Sequence, residues 1–432
     1  MPTTTRYRHR WAALAVLLTA EAMNLLDTTI VQVAGPVIHA GLPGPAADIP
    51  WFSAAYTLPF AAFLITGGRL GDVFGRAKTF KIGVTAFVLA SLACAIAPDA
   101  GLLIGARAVQ GAAAALVIPQ TIGLIRGLFD GDELAKALGS IGPVMGLSAV
   151  TGPLLGGLLT QALSWRAVFL VNVPLGLAVL LAARFLREDR AGTRPKLDLV
   201  GTGLVVAGAG LLVYPLISPG ATAWPLLAAG AALLVVFGFQ QRRAAAPLVE
   251  PSLFTHRAFP AALAGSLLYF AVMTGLMLLV PLRLQLGYGV DVRTASLTLL
   301  PLSAGLAVSS WVAGSWLVPK FGSRVMFAGL ALLLGGIVAG ASGPALAFCG
   351  LGMGTFTVPF FTAALDRVRP HETGSAAGLL NAVQQLGGTL GVALLGGLYL
   401  NSGTAATAFG VAAVLTVAAA IAVIPLSSRR GR

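Results

Sequence analysis

The chain has 432 residues, of which 57% are hydrophobic and only 10% are charged. A soluble domain carries about 25% charged residues, so this composition excludes a water-soluble globule. The net charge of +13 would suit nucleic acid, but the basic residues lie in short loops between apolar runs, which argues against that partner. Cys94 and Cys349 fall inside apolar runs, so we expect inert packing and neither a disulfide nor a metal site.

Apolar runs of about twenty residues, the length that crosses a ~30 Å hydrocarbon core, follow one another along the chain. The first carries Glu21 and Asp27 and has no convincing cleavage site, so we interpret it as a spanning helix and not a signal peptide. The loops are too short for a further domain of at least ~50 residues. Fourteen spans are predicted: Trp11–Val33, Trp51–Gly68, Lys81–Ala97, Gly101–Gly123, Ala137–Thr160, Trp165–Leu186, Leu199–Ile217, Trp224–Phe239, Phe259–Leu282, Thr294–Val318, Arg324–Ala341, Pro344–Leu365, Gly374–Leu400 and Thr404–Pro425.

The loop charges orient these spans. Lys and Arg concentrate on the cytoplasmic side of membrane proteins. Of the 28 Lys and Arg residues, all except Arg107, Arg166, Arg283 and Arg293 fall on the side of the N-terminus. A missed or extra span would scramble this alternation. The pattern therefore predicts a multi-pass protein of the bacterial cytoplasmic (inner) membrane with both termini in the cytoplasm.

Four passages carry motifs. The loop after span 2 reads GGRLGDVFGRAK, and span 4 contains RAVQG. Span 5 reads GPVMGLSAVTGPLLGGLL, and SWRAVFLVNVPLG follows it. Together they resemble the major facilitator superfamily, in its fourteen-helix drug:proton antiporter branch. Val73 departs from that family, which usually has a basic residue there.

The resemblance implies an all-α polytopic membrane protein with the major facilitator fold. It implies an N-terminal six-helix bundle over residues 1–190, a two-helix insert over 191–245 and a C-terminal six-helix bundle over 246–432. In the second half, WLVPKFGSR repeats the shape of the first loop with Pro319 in place of Asp72. We expect gating from the first loop and from span 5, at Gly68, Asp72, Gly75, Arg76, Gly146, Gly152, Pro153 and Gly156. The alternative for the span 5 glycines is plain tight packing.

Few charges lie inside the spans, where each costs about 2.5–3.5 kcal/mol to insert and usually serves function. Glu21 shares one helix face with Asn24 and Thr28, and burial favours its protonated form. Asp27 is predicted about six residues from the outer end of span 1, at a depth similar to that of Arg107 in span 4. We expect an Asp27–Arg107 pair, and we assign proton coupling to Glu21, Asp27 and Arg107. The alternative for the pair is a fixed lock between two helices.

Candidate substrate-binding residues are polar or aromatic groups on spans that line the central cavity in this family. Apolar walls with a few uncharged hydrogen-bonding groups suit an amphipathic ligand, although packing is the alternative for each aromatic residue. The candidates are Asn24, Gln110, Tyr269, Phe356, Phe360, Asn381, Gln384 and Gln385.

The sequence predicts a secondary active exporter of a lipophilic, drug- or antibiotic-like molecule that works in exchange for protons by alternating access. No phosphate-binding loop is present, so ATP is not the energy source. Its partners are a small organic substrate, protons and the lipid bilayer, and we expect a monomer without a cofactor. The alternatives are a metabolite importer or facilitator of the same fold, and a non-transporting receptor or assembly factor. No nucleophile–base pair or metal-ligand set suggests an enzyme.

Overall fold

The structure is a computed structural model that describes residues 7–188, 197–244, 247–255, 257–340, 342–366, 368–369 and 372–427. Thirteen helical segments of these residues are long and apolar enough to cross a membrane. One of them, residues 292–338, has 47 residues and would be ~70 Å long as a single helix, more than twice the hydrocarbon thickness. Gly322, with φ +64°, interrupts it, so this segment holds two spans. The described residues therefore contain the fourteen predicted spans.

The bounds of the fourteen helices follow the predicted spans in order. They are α1 Arg10–Ala40, α2 Asp48–Phe74, α3 Arg76–Ala95, α4 Ala100–Leu128, α5 Gly131–Ala162, α6 Ala167–Phe185, α7 Leu199–Ile217, α8 Ala223–Arg243, α9 Ala258–Gly287, α10 292–321, α11 Val325–Val338, α12 Pro344–Leu365, α13 Thr373–Ser402 and α14 Ala405–Ala422.

Helix α1 is longer than predicted. It continues through Pro36 to Ala40, because residues 34–38 after the predicted end are still apolar and the proline does not end the helix. Asp27 thus lies thirteen residues, or about 20 Å of helix, before the end of α1, so the predicted depth of six residues was wrong. This places Asp27 close to the middle of its helix.

The helices form two six-helix bundles and one inserted hairpin. In the first bundle α4 packs against α2 and α3, and α1 packs against α5 and α6. In the second, α12 packs against α10 and α11, and α9 packs against α13 and α14. The hairpin of α7 and α8 contacts the bundles mainly through α7, which lies on α2 and α13. This is the arrangement of two bundles and an inserted hairpin that the motifs implied.

The predicted borders between the three parts, at residues 190–191 and 245–246, lie outside the described residues. So do eight of the basic residues that were used to orient the spans: Arg6, Arg190, Arg194, Lys196, Arg367, Arg429, Arg430 and Arg432.

The two bundles contact each other along α2 and α13, and also on one side of the molecule through α1, α5, α9 and α10. We call the side where α1 begins the N-terminal face and the side where α1 ends the opposite face. At the opposite face the Gln285 amide donates to the Val33 carbonyl oxygen at 2.9 Å, which joins α9 to α1. There Gly157 of α5 also lies against Ser296 of α10. These contacts close the space between the bundles at the opposite face.

Candidate functional site

The polar core of the first bundle is an ion pair between α1 and α4. The Arg107 guanidinium donates from Nη1 to Asp27 Oδ2 at 2.5 Å and to Gln110 Oε1 at 2.7 Å. Its Nε donates to the Phe52 carbonyl oxygen at 2.9 Å, and its Cζ lies 4.4 Å from the centre of the Tyr56 ring. Asp27, Arg107 and Gln110 are each 0% exposed. The predicted Asp27–Arg107 pairing is therefore confirmed, and the pair is sealed from solvent.

Two further polar side chains, from α3 and α6, complete this cluster. Asn172 Nδ2 donates to Asp27 Oδ1 at 2.7 Å and to Ser91 Oγ at 2.9 Å. Gln110 Nε2 donates to the same Asp27 oxygen at 2.9 Å. The sequence reasoning missed Ser91 and Asn172, because single uncharged polar residues are common in spans. The one available signal was an asparagine inside the otherwise apolar run VFLVNVPLG.

Gln110 was predicted to face substrate, and this was wrong. Both polar atoms of its amide make hydrogen bonds within the cluster. The oxygen accepts from Arg107, and the nitrogen donates to Asp27 and Ser91. A buried charge must be surrounded by hydrogen-bonding groups to offset its desolvation. Gln110 is one of those groups, one helical turn after Arg107, and no part of it is exposed.

Glu21 lies in a different environment on the same helix. It is half-buried, as are Asn24 and Thr28 on the same face of α1. The Tyr56 hydroxyl donates to Asn24 Oδ1, and Glu21 lies beside Thr121 of α4. No basic side chain among the described residues pairs with Glu21. Among the described residues of α1, a half-buried carboxylate without a basic partner, Glu21, thus lies close to a sealed ion pair.

The amides of α13 lie on the second bundle. Asn381, Gln384 and Gln385 are all half-buried. One turn further on, Thr389 is fully buried and donates to Thr57 of α2 at 2.7 Å, which links the two bundles at mid-span. The accessible amides therefore lie on the helix that faces α2. Their role as a substrate surface stays a prediction.

The three predicted aromatic contacts do not line a cavity. Tyr269, Phe356 and Phe360 are 1%, 0% and 0% exposed. The Tyr269 ring centre lies 4.1 Å from that of Phe356, which stacks on Phe360 at 5.0 Å. The Tyr269 hydroxyl is bonded within the same packing, to the Met353 carbonyl oxygen at 2.8 Å. The expectation was wrong because spacing along one helix does not reveal which neighbour its aromatic face meets, and here α9 and α12 meet each other.

The glycines of α5 divide into two groups. A Cβ on Gly152 would collide with the Thr29 side chain, and one on Gly156 would lie 3.2 Å from the Ile30 carbonyl oxygen. These two glycines, with Pro153 between them, therefore fit α5 closely against α1 of its own bundle. Gly146 has only Ala307 nearby, at 3.9 Å. Gly157, which was not predicted, makes a close contact across the bundles with Ser296 of α10.

The N-terminal face carries an ordered set of charges. Arg76 donates to Asp72 Oδ1 at 2.9 Å, and Gly75 between them has φ +105°, which favours glycine. Gly68 packs close to Pro119 of α4, 3.4 Å from a Cβ placed on the glycine. The repeat in the second half keeps a positive φ at Gly322 but has Pro319 where the first half has Asp72. The turn is thus shared by both copies, and the ion pair is specific to the first.

The base of the inserted hairpin is also polar. Asp198 begins α7 and accepts from the Gly201 backbone N–H at 2.8 Å, and from Gln241 at 2.7 Å and Gln240 at 3.0 Å. Burial alone would raise the pKa of Asp198, but these hydrogen bonds lower it below its usual value of 3.8. Arg69 at the end of α2 donates to the Pro247 carbonyl oxygen after the hairpin. The insert is therefore fixed to the first bundle at the N-terminal face.

Charged side chains at mid-span are costly in a membrane, and a bundle that only filled the bilayer would not need them. Two six-helix bundles with such groups inside one of them are typical of a membrane transporter. The chain belongs to the Major Facilitator Superfamily, whose family description matches residues 17–392. It is therefore a multi-pass transport protein and not an enzyme. Among the described residues, no group of His, Cys, Asp or Glu could hold a metal ion.

Its relatives and structural neighbours agree with this assignment. It is 42% identical to the probable actinorhodin transporter of Streptomyces coelicolor, an alignment that covers 93% of this chain and 75% of that protein. It is 37% identical to the puromycin resistance protein pur8 of Streptomyces alboniger, over 89% of this chain and 81% of that protein. A crystal structure of the peptide transporter POT shares its fold, with a TM-score of 0.69 and 16% identity over 95% of this chain and 93% of that one.

Proposed function

We propose that this protein exports a small, lipophilic, antibiotic-like molecule in exchange for protons. The observation that carries the proposal is the contrast on α1, where Glu21 is half-buried with no basic partner among the described residues while Asp27 is sealed against Arg107. A carboxylate of this kind readily gains and loses a proton, because burial disfavours its charge and no cation fixes it. The names of the relatives, which include an actinorhodin transporter and a puromycin resistance protein, support an antibiotic-like substrate.

In this scheme Glu21 carries the transported proton, and Asp27 and Arg107 fix the neighbouring part of α1. Protonated Glu21 is neutral and allows the bundles to rearrange around it. Substrate binding next to Glu21 favours release of the proton on the substrate side. The protein then alternates between a state with protonated Glu21 and a state with bound substrate, and this alternation exchanges substrate for protons by alternating access.

The substrate surface that fits this scheme lies between α1 and α13. Asn24 on α1 and Asn381, Gln384 and Gln385 on α13 are half-buried and offer neutral donors and acceptors. Neutral amides orient a ligand without the desolvation cost of charges, which suits a lipophilic molecule with a few polar groups. We assign gating to the turn of Gly68, Asp72, Gly75 and Arg76, and to the fit of Gly152, Pro153 and Gly156 against α1.

Sidedness completes the proposal. Because Lys and Arg favour the cytoplasmic side, we assign the N-terminal face to the cytoplasm and the opposite face to the outside of a bacterial inner membrane. The contacts at the opposite face then make this an outward-closed state. We propose that the protein works as a monomer, with the two bundles and the inserted hairpin as its three parts.

The test uses inside-out vesicles that contain the protein, an imposed proton gradient and a pH-sensitive dye. Lipophilic cations, tetracyclines, quinolones and puromycin are added one at a time to the native chain and to Glu21→Gln. We expect at least one compound to drive proton release with the native chain and none with Glu21→Gln. Asp291→Asn is the matched control, because Asp291 is an exposed helix cap at the opposite face, and it should behave like the native chain.

Two outcomes would contradict the proposal. Substrate-driven proton release that persists in Glu21→Gln would remove Glu21 from the coupling site. Substrate movement without any dye response in the native chain would make the protein a facilitator, and movement coupled to protons in the same direction would make it an importer.

A further inference from the structure

We propose that the inserted hairpin of α7 and α8 seals one of the two edges along which the bundles meet, and that a lipophilic substrate enters from the bilayer through the other. The sealed edge lies between α2 and α13, and the entry edge lies between α5 and α10. The inference deepens the proposed function, on which it rests for the lipophilic nature of the transported molecule. It gives a role to the two helices that the chain has in addition to its bundles.

Helix α7 bridges the two bundles at the sealed edge. Near the N-terminal face, the hydroxyl oxygens of Thr202 and of Thr66 on α2 lie 2.8 Å apart, and both side chains are buried. Such hydrogen bonds between helices help to hold spanning segments together. Near the opposite face α7 also reaches α13, because a Cβ on Gly397 would collide with the Leu216 carbonyl oxygen. One helix is therefore fitted to α2 of the first bundle and to α13 of the second.

The chain that leaves the hairpin closes the same edge at the N-terminal face. The Gln241 side chain at the end of α8 accepts from the Val249 backbone N–H at 3.0 Å. Val249 belongs to a small apolar cluster that also contains Leu379 of α13, and Ile65 of α2 packs against this cluster. The edge between α2 and α13 is thus covered near both faces of the molecule. A lipophilic molecule in the bilayer would meet packed side chains there.

The edge between α5 and α10 opens towards the N-terminal face. Towards the opposite face it is closed by Gly157 against Ser296, and further along α5 a Cβ on Gly146 would lie 3.9 Å from Ala307. Gly142 is one turn nearer to the N-terminal face and shares the helix face of Gly146. Its Cβ position has no described atom within 4 Å outside the adjoining backbone of its own helix. Helices α5 and α10 therefore separate between these two glycines.

The residues beside this opening are exposed and uncharged. On α5 they include Gly142 and Met145. On α10, Trp311 lies one turn beyond Ala307 and is 64% exposed, and its ring centre lies 6.2 Å from that of Trp316. Because apolar surface is favoured out of water, a lipophilic molecule is concentrated in the bilayer. From there it reaches the space between the bundles past apolar and aromatic groups.

The test measures how fast thiol reagents reach the space between the bundles in lipid nanodiscs, which leave both faces open to water. A cysteine is placed at Asn381 in a chain whose buried Cys94 and Cys349 are replaced by alanine. It reacts either with pyrenylmaleimide, which dissolves in the bilayer, or with a sulfonated maleimide, which stays in water. We expect Gly142→Trp to slow the pyrenylmaleimide reaction about tenfold, which corresponds to ~1.4 kcal/mol. The sulfonated reagent should react as before, because it enters from the N-terminal face.

The matched control is Gly210→Trp on α7. Gly210 and Gly142 each lie eleven residues after the first residue of their helix, and both have open Cβ positions. The control should leave both reactions unchanged, because α7 already closes its edge. Equal slowing by the two variants, or no slowing by Gly142→Trp, would overturn the inference. If Gly142→Trp does not insert, Gly139→Trp decides in its place, since that Cβ position is open as well.

A second variant tests the seal. Gly397→Leu would push α7 away from α13, so in the Gly142→Trp chain it should restore part of the fast pyrenylmaleimide reaction. A reaction that stays slow would show that the hairpin does not close the edge between α2 and α13. Labelling requires neither transport nor a proton gradient, so its outcome stands apart from the vesicle test of Glu21.

Discussion

The two bundles share one arrangement of helices, but the first has a charged, polar interior and the second an aromatic one. Between α1 and α4 of the first bundle lies an ion pair with three neutral polar partners, all within hydrogen-bond distance. Between α9 and α12 of the second lies a stack of three aromatic rings with one bonded hydroxyl. The surface turn shows the same division, because its ion pair exists only in the first copy. Although the two bundles share a fold, the buried ion pair therefore lies in the first bundle, and the corresponding interior of the second is held by aromatic packing.

The largest expected effect is that of Arg107→Leu. It leaves the Asp27 carboxylate buried without its cation, which should destabilise the protein by about 3–5 kcal/mol. Thermal unfolding in detergent, followed by circular dichroism, measures this loss. The double change Asp27→Asn with Arg107→Leu removes the lone charge and should recover much of the stability. A single variant as stable as the native chain would show that the pair is not the polar lock of the first bundle.

A smaller effect is expected where the bundles meet. A Cβ on Gly157 would lie 2.8 Å from Ser296 Cβ, so Gly157→Val should oppose closure at the opposite face by about 1–3 kcal/mol, the usual cost of overpacking. Thiol labelling of a cysteine placed at Thr389 reports this opening and should become faster. Gly142→Val on the same helix is the control, because no described atom outside the adjoining backbone of its own helix lies within 4 Å of its Cβ position. Equal labelling in both variants would contradict the role of Gly157.

The smallest effect concerns the aromatic interior. Tyr269→Phe removes one hydroxyl bonded to Met353 and Thr357 and should cost about 1 kcal/mol of stability. The pH profile of proton release should not move, since no charge depends on this hydroxyl. A shifted profile would show that the second bundle takes part in proton coupling, and the contrast between the halves would fail.

Much of the fold was predictable because a spanning helix is recorded as an uninterrupted apolar run. The fourteen spans and the pairing of Asp27 with Arg107 were predicted, the latter because few partners exist for a charge at that depth. The end of α1 was not, since a helix can continue beyond the hydrocarbon core. The contacts of Tyr269, Phe356 and Gln110 were not predicted either. The sequence shows which residues share a helix face, but it does not show which other helix packs against that face. Asn172 escaped notice because a neutral amide in a span has many structural uses.

The central claim is that Glu21 is a half-buried carboxyl that can exchange a proton, while Asp27 is sealed in its ion pair with Arg107. Dicyclohexylcarbodiimide tests it directly, because it enters membranes and reacts with protonated carboxyl groups in apolar surroundings. Treated vesicles are digested, and the peptides that carry residues 21 and 27 are analysed by mass spectrometry. We predict an adduct on Glu21, with a yield that falls when a transported compound is present, and no adduct on Asp27. Modification of Asp27 with Glu21 left intact would contradict the account.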